Sequence, residues 1–318
     1  MQRKLTFKRL KEKIRDTTYL YVRSKYNRLT KSQDYAAINK YVMFIGYPRS
    51  GHSLIGAVLD AHPNIVLSHE LDVLKLIQET KSQKNIFSAI IARSEWFAKN
   101  GCVWRGYTYK VPNQWQGKYK ELFVIGDKKG GASSRRLNGG SDSLIEIKNI
   151  INKDMVLIHV IRNPFDNITT RARGGSHVLR EVNDELLQKS INDHLKDVEA
   201  IDRIKKENKF PILDIYNEQF IADPKKEIIR MCHFLGVKEI DDKYLEDCAS
   251  IVFSSPKKTR NQIQWKQEFI DKVQSMIDKY DFLKGYSFYA SIIFLFQLIN
   301  LSIDNFTDFS NTITNVFS

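Results

Sequence analysis

Cysteine is scarce in this chain: Cys102, Cys232 and Cys248 stand at wide, unrelated spacings among 318 residues. That excludes a disulfide framework and a cysteine-rich metal site, and makes a reducing compartment the default. The first residues lack the uninterrupted apolar stretch of a secretory signal, so the expected location is the cytoplasm, with membrane association as an option. No internal repeat is visible. Carboxylates are outnumbered, 37 Asp/Glu against 50 Lys/Arg, for a net charge of +13. The excess is not spread evenly, because residues 1–40 hold 12 Lys/Arg and 3 Asp/Glu, or +9 of the +13. A charge so localised does not describe a nucleic-acid-binding body, and no nucleic acid is expected as a partner. Residues 1–39 read instead as a basic helical arm, either solvated and loosely docked or meeting membrane lipids or an acidic partner.

With 42% apolar and 11% aromatic residues the chain can bury a large core. Short apolar runs at 41–46, 65–67, 122–126, 155–161 and 210–216 alternate with helical patterns. The longest of these patterns lie at 181–208 and 224–235, and 70–80 also reads as helical. This alternation predicts an α/β, P-loop NTPase-like fold of three layers, a central mostly parallel sheet flanked by helices. The main domain is expected over 40–285, where ligands would collect at the carboxyl edge of the strands. The Gly/Ser-rich basic stretch 128–143 reads as a mobile loop. Residues 286–318 form an apolar tail nearly long enough to span a bilayer but interrupted by Ser291, Gln297, Asn300 and Ser302. It reads as a packed or partner-binding helix, with membrane-surface association as the other option.

One further absence carries the chemistry. The run "YVMFIGYPRSGHSLIG" has the spacing of a phosphate-binding loop, Gly46-x-x-x-x-Gly51-x-Ser53, yet His52 stands where the lysine should be. The backbone N–H groups of Ser50, Gly51, His52 and Ser53 are expected at a helix N-terminus, where an anion fits. The 155–161 run ends in Arg162-Asn163-Pro164 rather than in a Mg²⁺-binding aspartate. Arginines where metal ligands should be suggest an anion held without metal, which weighs against a P-loop kinase. Pro164 suits the first turn of a helix, and Thr170, eight residues after Arg162, falls about two turns along it. Arg162 and Thr170 thus form a second candidate anion site.

The segments "YPRSGHSLIGAVLDAHPNI" and "VIRNPFDNI" together resemble the sulfotransferase family, whose donor is 3′-phosphoadenosine 5′-phosphosulfate (PAPS) and whose product is adenosine 3′,5′-bisphosphate (PAP). The resemblance spans residues 40–286, and "LDAHP" is similar to the tyrosine-sulfotransferase branch and its carbohydrate-modifying relatives. It implies that Arg49, Ser50, Gly51, His52 and Ser53 bind the 5′-phosphosulfate, and that Arg162 and Thr170 bind the 3′-phosphate. His52 replaces the usual threonine. It further implies adenine contact by Tyr216, closure over the nucleotide by Lys258 and Arg260, and charge stabilisation by Arg49 and Lys128. A base must take the proton of the acceptor hydroxyl. His69, Glu70 and Asp72 in "SHELD" are the candidates, and the resemblance points to Glu70. A bland alternative makes Ser68, Glu70 and Asp72 a helix start. The acceptor is expected to be a carbohydrate or glycolipid hydroxyl, with protein tyrosine or a small molecule as the alternative. The aromatics Trp96, Trp104, Tyr107, Tyr109 and Trp115 are candidates to line its site or to fill the core.

Overall fold

Strand β1 (Lys40–Gly46) is buried from Tyr41 onward, because its side chains alternate between two apolar layers. Tyr41, Met43 and Ile45 point into one core cluster, and Val42 and Phe44 point into the other. The same division runs through β2 (Ile65–His69), β5 (Val124–Lys128), β6 (Asp154–Ile161) and β7 (Ile212–Tyr216). Between β2 and β5 a short antiparallel hairpin joins β3 (Val103–Trp104) to β4 (Tyr107–Thr108). The computed structural model describes residues 7–137, 139–174 and 180–289. The tail expected over 286–318 lies outside them from residue 290.

The main sheet has the order β2-β5-β1-β6-β7, and every pair is parallel. Parallel strands buried on both faces need helices on both faces. Helices Gln83–Lys99, Asp142–Ile151, Asp184–Glu207 and Gln267–Lys279 cover one face. His52–Asp60, Pro224–Leu235 and Asp242–Ala249 cover the other. This is the three-layer α/β architecture expected. The chain leaves β1 for β2 and β5 on one side and reaches β6 and β7 on the other. The loops after β1, β2, β5 and β6 therefore meet at the carboxyl edge around this switch point.

Two segments differ from expectation. The described part of residues 128–143 holds a turn of helix at Gly131–Arg136 and the start of another helix at Asp142, where a loop was expected. Their small residues serve close approach: a Cβ on Gly131 would lie 2.5 Å from Pro48 Cδ. Ser134 Oγ accepts from Gly46 N and donates to Gly46 O, both at 2.8 Å. Residues 70–80 hold only the short helix Val73–Leu76. Glu70 and Asp72 adopt left-handed backbone, φ 64° and 72°, and a continuous helix cannot run through them.

The basic arm docks firmly. Helix Phe7–Thr30 lies along Gln83–Lys99, and one carboxylate gathers its donors. Glu95 accepts from Arg23 Nε at 2.7 Å, Asn27 Nδ2 at 3.0 Å and Lys31 Nζ at 2.9 Å. Burial alone would raise the Glu95 pKa, but these three donors hold it below its ordinary value. The stabilisation is therefore present above the unfolded value near 4.5 and is lost as pH falls through the folded value. Glu95→Ala should cost about 2–3 kcal/mol, because three donors lose their acceptor. Amide exchange across 14–31 should quicken while β1 and β6 stay protected; unchanged exchange in the helix would contradict this clamp.

Candidate active site

The loop after β1 is built to receive an anion. Arg49 and Gly51 take positive φ, 75° and 104°, turning the chain sharply into helix His52–Asp60. Leu54 and Ile55 both bond to Gly51 O, while the N–H groups of Gly51, His52 and Ser53 donate to no carbonyl among the described residues. These are the unsatisfied donors of a helix start, where positive partial charge gathers. A Cβ on Gly51 would sit 2.3 Å from Asn217 Nδ2, so glycine is needed for space as well as for backbone. Ser50 is buried, with Oγ donating to Tyr47 O at 2.9 Å and accepting from Asn167 Nδ2 at 3.0 Å. Its side chain braces the loop.

His52 does the same from beneath. Its Nε2 lies 3.1 Å from Ile45 O, and its ring fills the space beside Gly46 and Gly130, where a Cβ would clash at 2.7 and 2.9 Å. Burial lowers its pKa to about 4, so the ring is neutral and Nε2–H donates to Ile45. The residue in the lysine position thus supports the loop instead of reaching a phosphate.

Across the cavity, Arg162 leaves the end of β6. Its Nη1 donates to Arg49 O at 3.1 Å and its Nη2 to Lys257 O at 2.8 Å. Thr170 Oγ1 lies 3.5 Å from Nη1 and 3.0 Å from Thr259 Oγ1. Among the described residues no carboxylate lies within ion-pair distance of Arg49 or Arg162, so neither guanidinium is neutralised by direct pairing. Burial lowers the Arg49 pKa, and neighbouring Arg105 lowers it further.

The third wall is a turn held by one buried carboxylate. Asp127 accepts from Ser68 Oγ at 2.7 Å and from the backbone N–H groups of Leu71, Asp72 and Val73 at 3.2, 2.9 and 3.0 Å. Glu70 N bonds to Lys128 O at 3.0 Å. So anchored, the turn aims Glu70 at Lys128 Nζ, 2.7 Å away, and Lys129 Nζ, 3.0 Å away. Burial would raise the Glu70 pKa, but the two ammoniums hold it below its ordinary value, so it is ionised at neutral pH. Burial lowers the Lys128 pKa while Glu70 opposes the shift. Lys128 Nζ also donates to Ser53 Oγ at 3.1 Å, linking the turn to the phosphate loop. His69 stacks on Phe97 with ring centroids 4.0 Å apart and reaches Ser53 Oγ at 3.3 Å. Burial keeps it neutral. Asp72 is paired bidentately with Arg136.

These walls line an open cavity of about 400 Å³, within the range of small-ligand pockets. Of the residues singled out in the sequence, Arg49, Gly51, His52, Ser53, Glu70, Arg162 and Thr170 line it, and Ser50 does not. Lys128 stands just behind, and Lys129 presents its side chain instead. Tyr216 packs toward Tyr286 in the core, leaving Asn217 on the wall. Lys258 does not line the cavity, but Lys257 does. Arg260 is buried in an ion pair with Asp166, Nη1 to Oδ2 2.6 Å, and is committed to holding its segment on helix Pro164–Ala172. Arg105 and Arg135 join the lining from segments outside the two anion-binding motifs. Of the aromatics, Trp104, Tyr107 and Tyr109 form a wall. Trp96 and Trp115 lie elsewhere, under Arg93 and Lys118. Cations outnumber carboxylates, and Glu70, the one lining carboxylate among the described residues, is already shared by two lysines.

Asp127→Asn would turn an amide N–H₂ toward backbone donors. It should lower stability by about 2 kcal/mol, read as a shifted urea midpoint. An unchanged midpoint would remove Asp127 from its place as anchor.

No curated protein matches the chain. Several solved structures are similar to it. The sulfotransferase domain of an olefin synthase from Synechococcus PCC 7002 is 16% identical, with 77% of this chain and 96% of that one covered, at a TM-score of 0.41. A mouse sulfotransferase complexed with PAP is 14% identical over 80% and 93%, at a TM-score of 0.47. A Mycobacterium avium sulfotransferase is 10% identical over 77% of each chain, at 0.43. Independently of these distant likenesses, the family model described as the sulfotransferase domain matches residues 39–283. The chain therefore belongs to the sulfotransferase family and is a sulfotransferase enzyme.

Proposed function

We propose that the enzyme takes a sulfuryl group from PAPS and delivers it in line to a hydroxyl of a carbohydrate or glycolipid, with Glu70 as the general base. One observation carries this reading: an ionised carboxylate and a set of unsatisfied loop N–H groups face the same cavity, joined through Lys128 and Ser53. The donor fits the residues present. The 5′-phosphosulfate would meet the N–H groups of Gly51, His52 and Ser53 together with Arg49. The 3′-phosphate would meet Arg162 and Thr170, with Lys257 beside them.

In the reaction the acceptor oxygen attacks sulfur as its proton passes to a Glu70 carboxylate oxygen. The bond between sulfur and the bridging oxygen breaks, and the electron pair leaves with PAP. Arg49 and Lys129 stabilise the charge that grows on that oxygen and on the sulfuryl group, and Lys128 behind them holds Glu70 and Ser53 in place. Fixed cations supply what Mg²⁺ supplies to a kinase, and the donor set supports this, since Glu70 is held by two ammoniums. A wall of aromatic rings, Trp104, Tyr107 and Tyr109, offers apolar faces that suit a sugar. The same wall suits a phenol ring, which keeps protein tyrosine or a small phenol as the second reading.

Transfer of radiolabel from [³⁵S]PAPS to a glycolipid extract and to a tyrosine peptide tests the proposal. Glu70→Gln should lower kcat about 10²–10⁴-fold while leaving PAP affinity unchanged. Because the folded pKa of Glu70 is depressed, the carboxylate remains a base as pH falls. The wild-type rate should therefore hold down to about pH 5 and drop only as the carboxylate protonates. A Glu70→Gln enzyme with wild-type kcat would return the base to His69.

A further inference from the structure

The docked helix Phe7–Thr30 wears its apolar side outward. Ile14, Tyr21, Val22, Tyr26 and Leu29 are between 51% and 77% exposed, and they make up most of the large apolar side chains exposed among the described residues. Ile14, Tyr21, Val22 and Leu29 follow at intervals of seven, one and seven, which places them within an arc of about 100° on an α-helix. Tyr26 borders that arc. Arg23 and Asn27, clamped to Glu95, lie on the opposite side. The clamp that holds the helix to the body therefore also fixes the stripe toward the outside.

Charge says what covers it. The helix holds eight Lys/Arg against two Asp/Glu; exposed Lys25 lies within the arc and exposed Arg28 at its edge. A second copy laid face to face would oppose two such basic helices, with repulsion along their length. An apolar stripe flanked by cations is complementary to an anionic bilayer surface, where apolar groups sink to the acyl boundary and ammoniums meet lipid phosphates. No helix of the described residues is long and apolar enough to cross a membrane, so the contact is one of lying on the surface. We infer that the outer face of helix Phe7–Thr30 docks this enzyme on an anionic lipid surface through Ile14, Tyr21, Val22 and Leu29. A lipid-linked acceptor would then be met in the plane where the enzyme sits. The surface stands independently of the transfer reaction, so either reading can fail without the other.

The test is co-sedimentation of the full chain with phosphatidylcholine vesicles, with and without phosphatidylglycerol. Binding should need the anionic lipid and weaken as salt rises. Combining Tyr21→Ser, Val22→Ser and Leu29→Ser should lower the partition coefficient roughly tenfold or more. Because these side chains are exposed, the urea midpoint should not move. Replacing Lys25 and Arg28 by Ser should lower binding roughly fivefold per cation. Three outcomes would overturn the inference: no binding to anionic vesicles, binding that the triple variant retains in full, or self-association that the triple variant abolishes in place of vesicle binding.

Discussion

A carboxylate buried at the end of β5 governs where the base stands. Asp127 gathers one hydroxyl and three consecutive backbone N–H groups, and the segment after β2 has to fold around it. Left-handed backbone at Glu70 and Asp72 follows from that demand. Such backbone costs on the order of 1–2 kcal/mol per residue, so it persists only where the surroundings over-determine it. Here the result is a glutamate aimed at the neighbour of its own anchor. Lys128 extends the arrangement to Ser53 and so to the phosphate loop. Loop, lysine and glutamate are one hydrogen-bonded unit, in which the position of each limits the others.

The same economy of space explains the loop without a lysine. His52 is turned under the loop, neutral and packed against two glycines, and the helix start above it is left with open N–H donors. The backbone donors stand beside the Arg49 guanidinium, and the Arg162 guanidinium stands across the cavity, neither paired directly with a carboxylate among the described residues. Lining cations in excess of the single lining carboxylate repel one another, and a polyanionic ligand would relieve that repulsion.

The architecture was legible in the sequence because period and punctuation agree in it. The helix at 224–235, opened by Pro224 and closed by Gly236, was read to the residue. What escaped were matters of one residue or of tight packing. Lys128, Tyr216 and Lys258 each stand next to the residue that lines the cavity: Lys129, Asn217 and Lys257. Lys128 and Tyr216 end strands, where neighbouring side chains point to opposite faces and no sequence pattern says where the alternation stops, and Lys258 lies in a loop that has no period. Residues 128–143 looked mobile because glycine and serine are common in loops. Here they allow Gly131 to touch Pro48 and Ser134 to bond both backbone groups of Gly46. Nor could the sequence reveal that Arg260 is spent on Asp166, a partner 94 residues away.

On the proposed reading, this lysine-free loop holds a sulfuryl donor by fixed cations. Calorimetric titration of the full chain with PAP in EDTA tests it most directly, with ATP titrated in Mg²⁺ as the comparison. PAP should bind with a Kd on the order of micromolar that EDTA leaves intact. No PAP binding, with ATP binding that requires Mg²⁺, would contradict it.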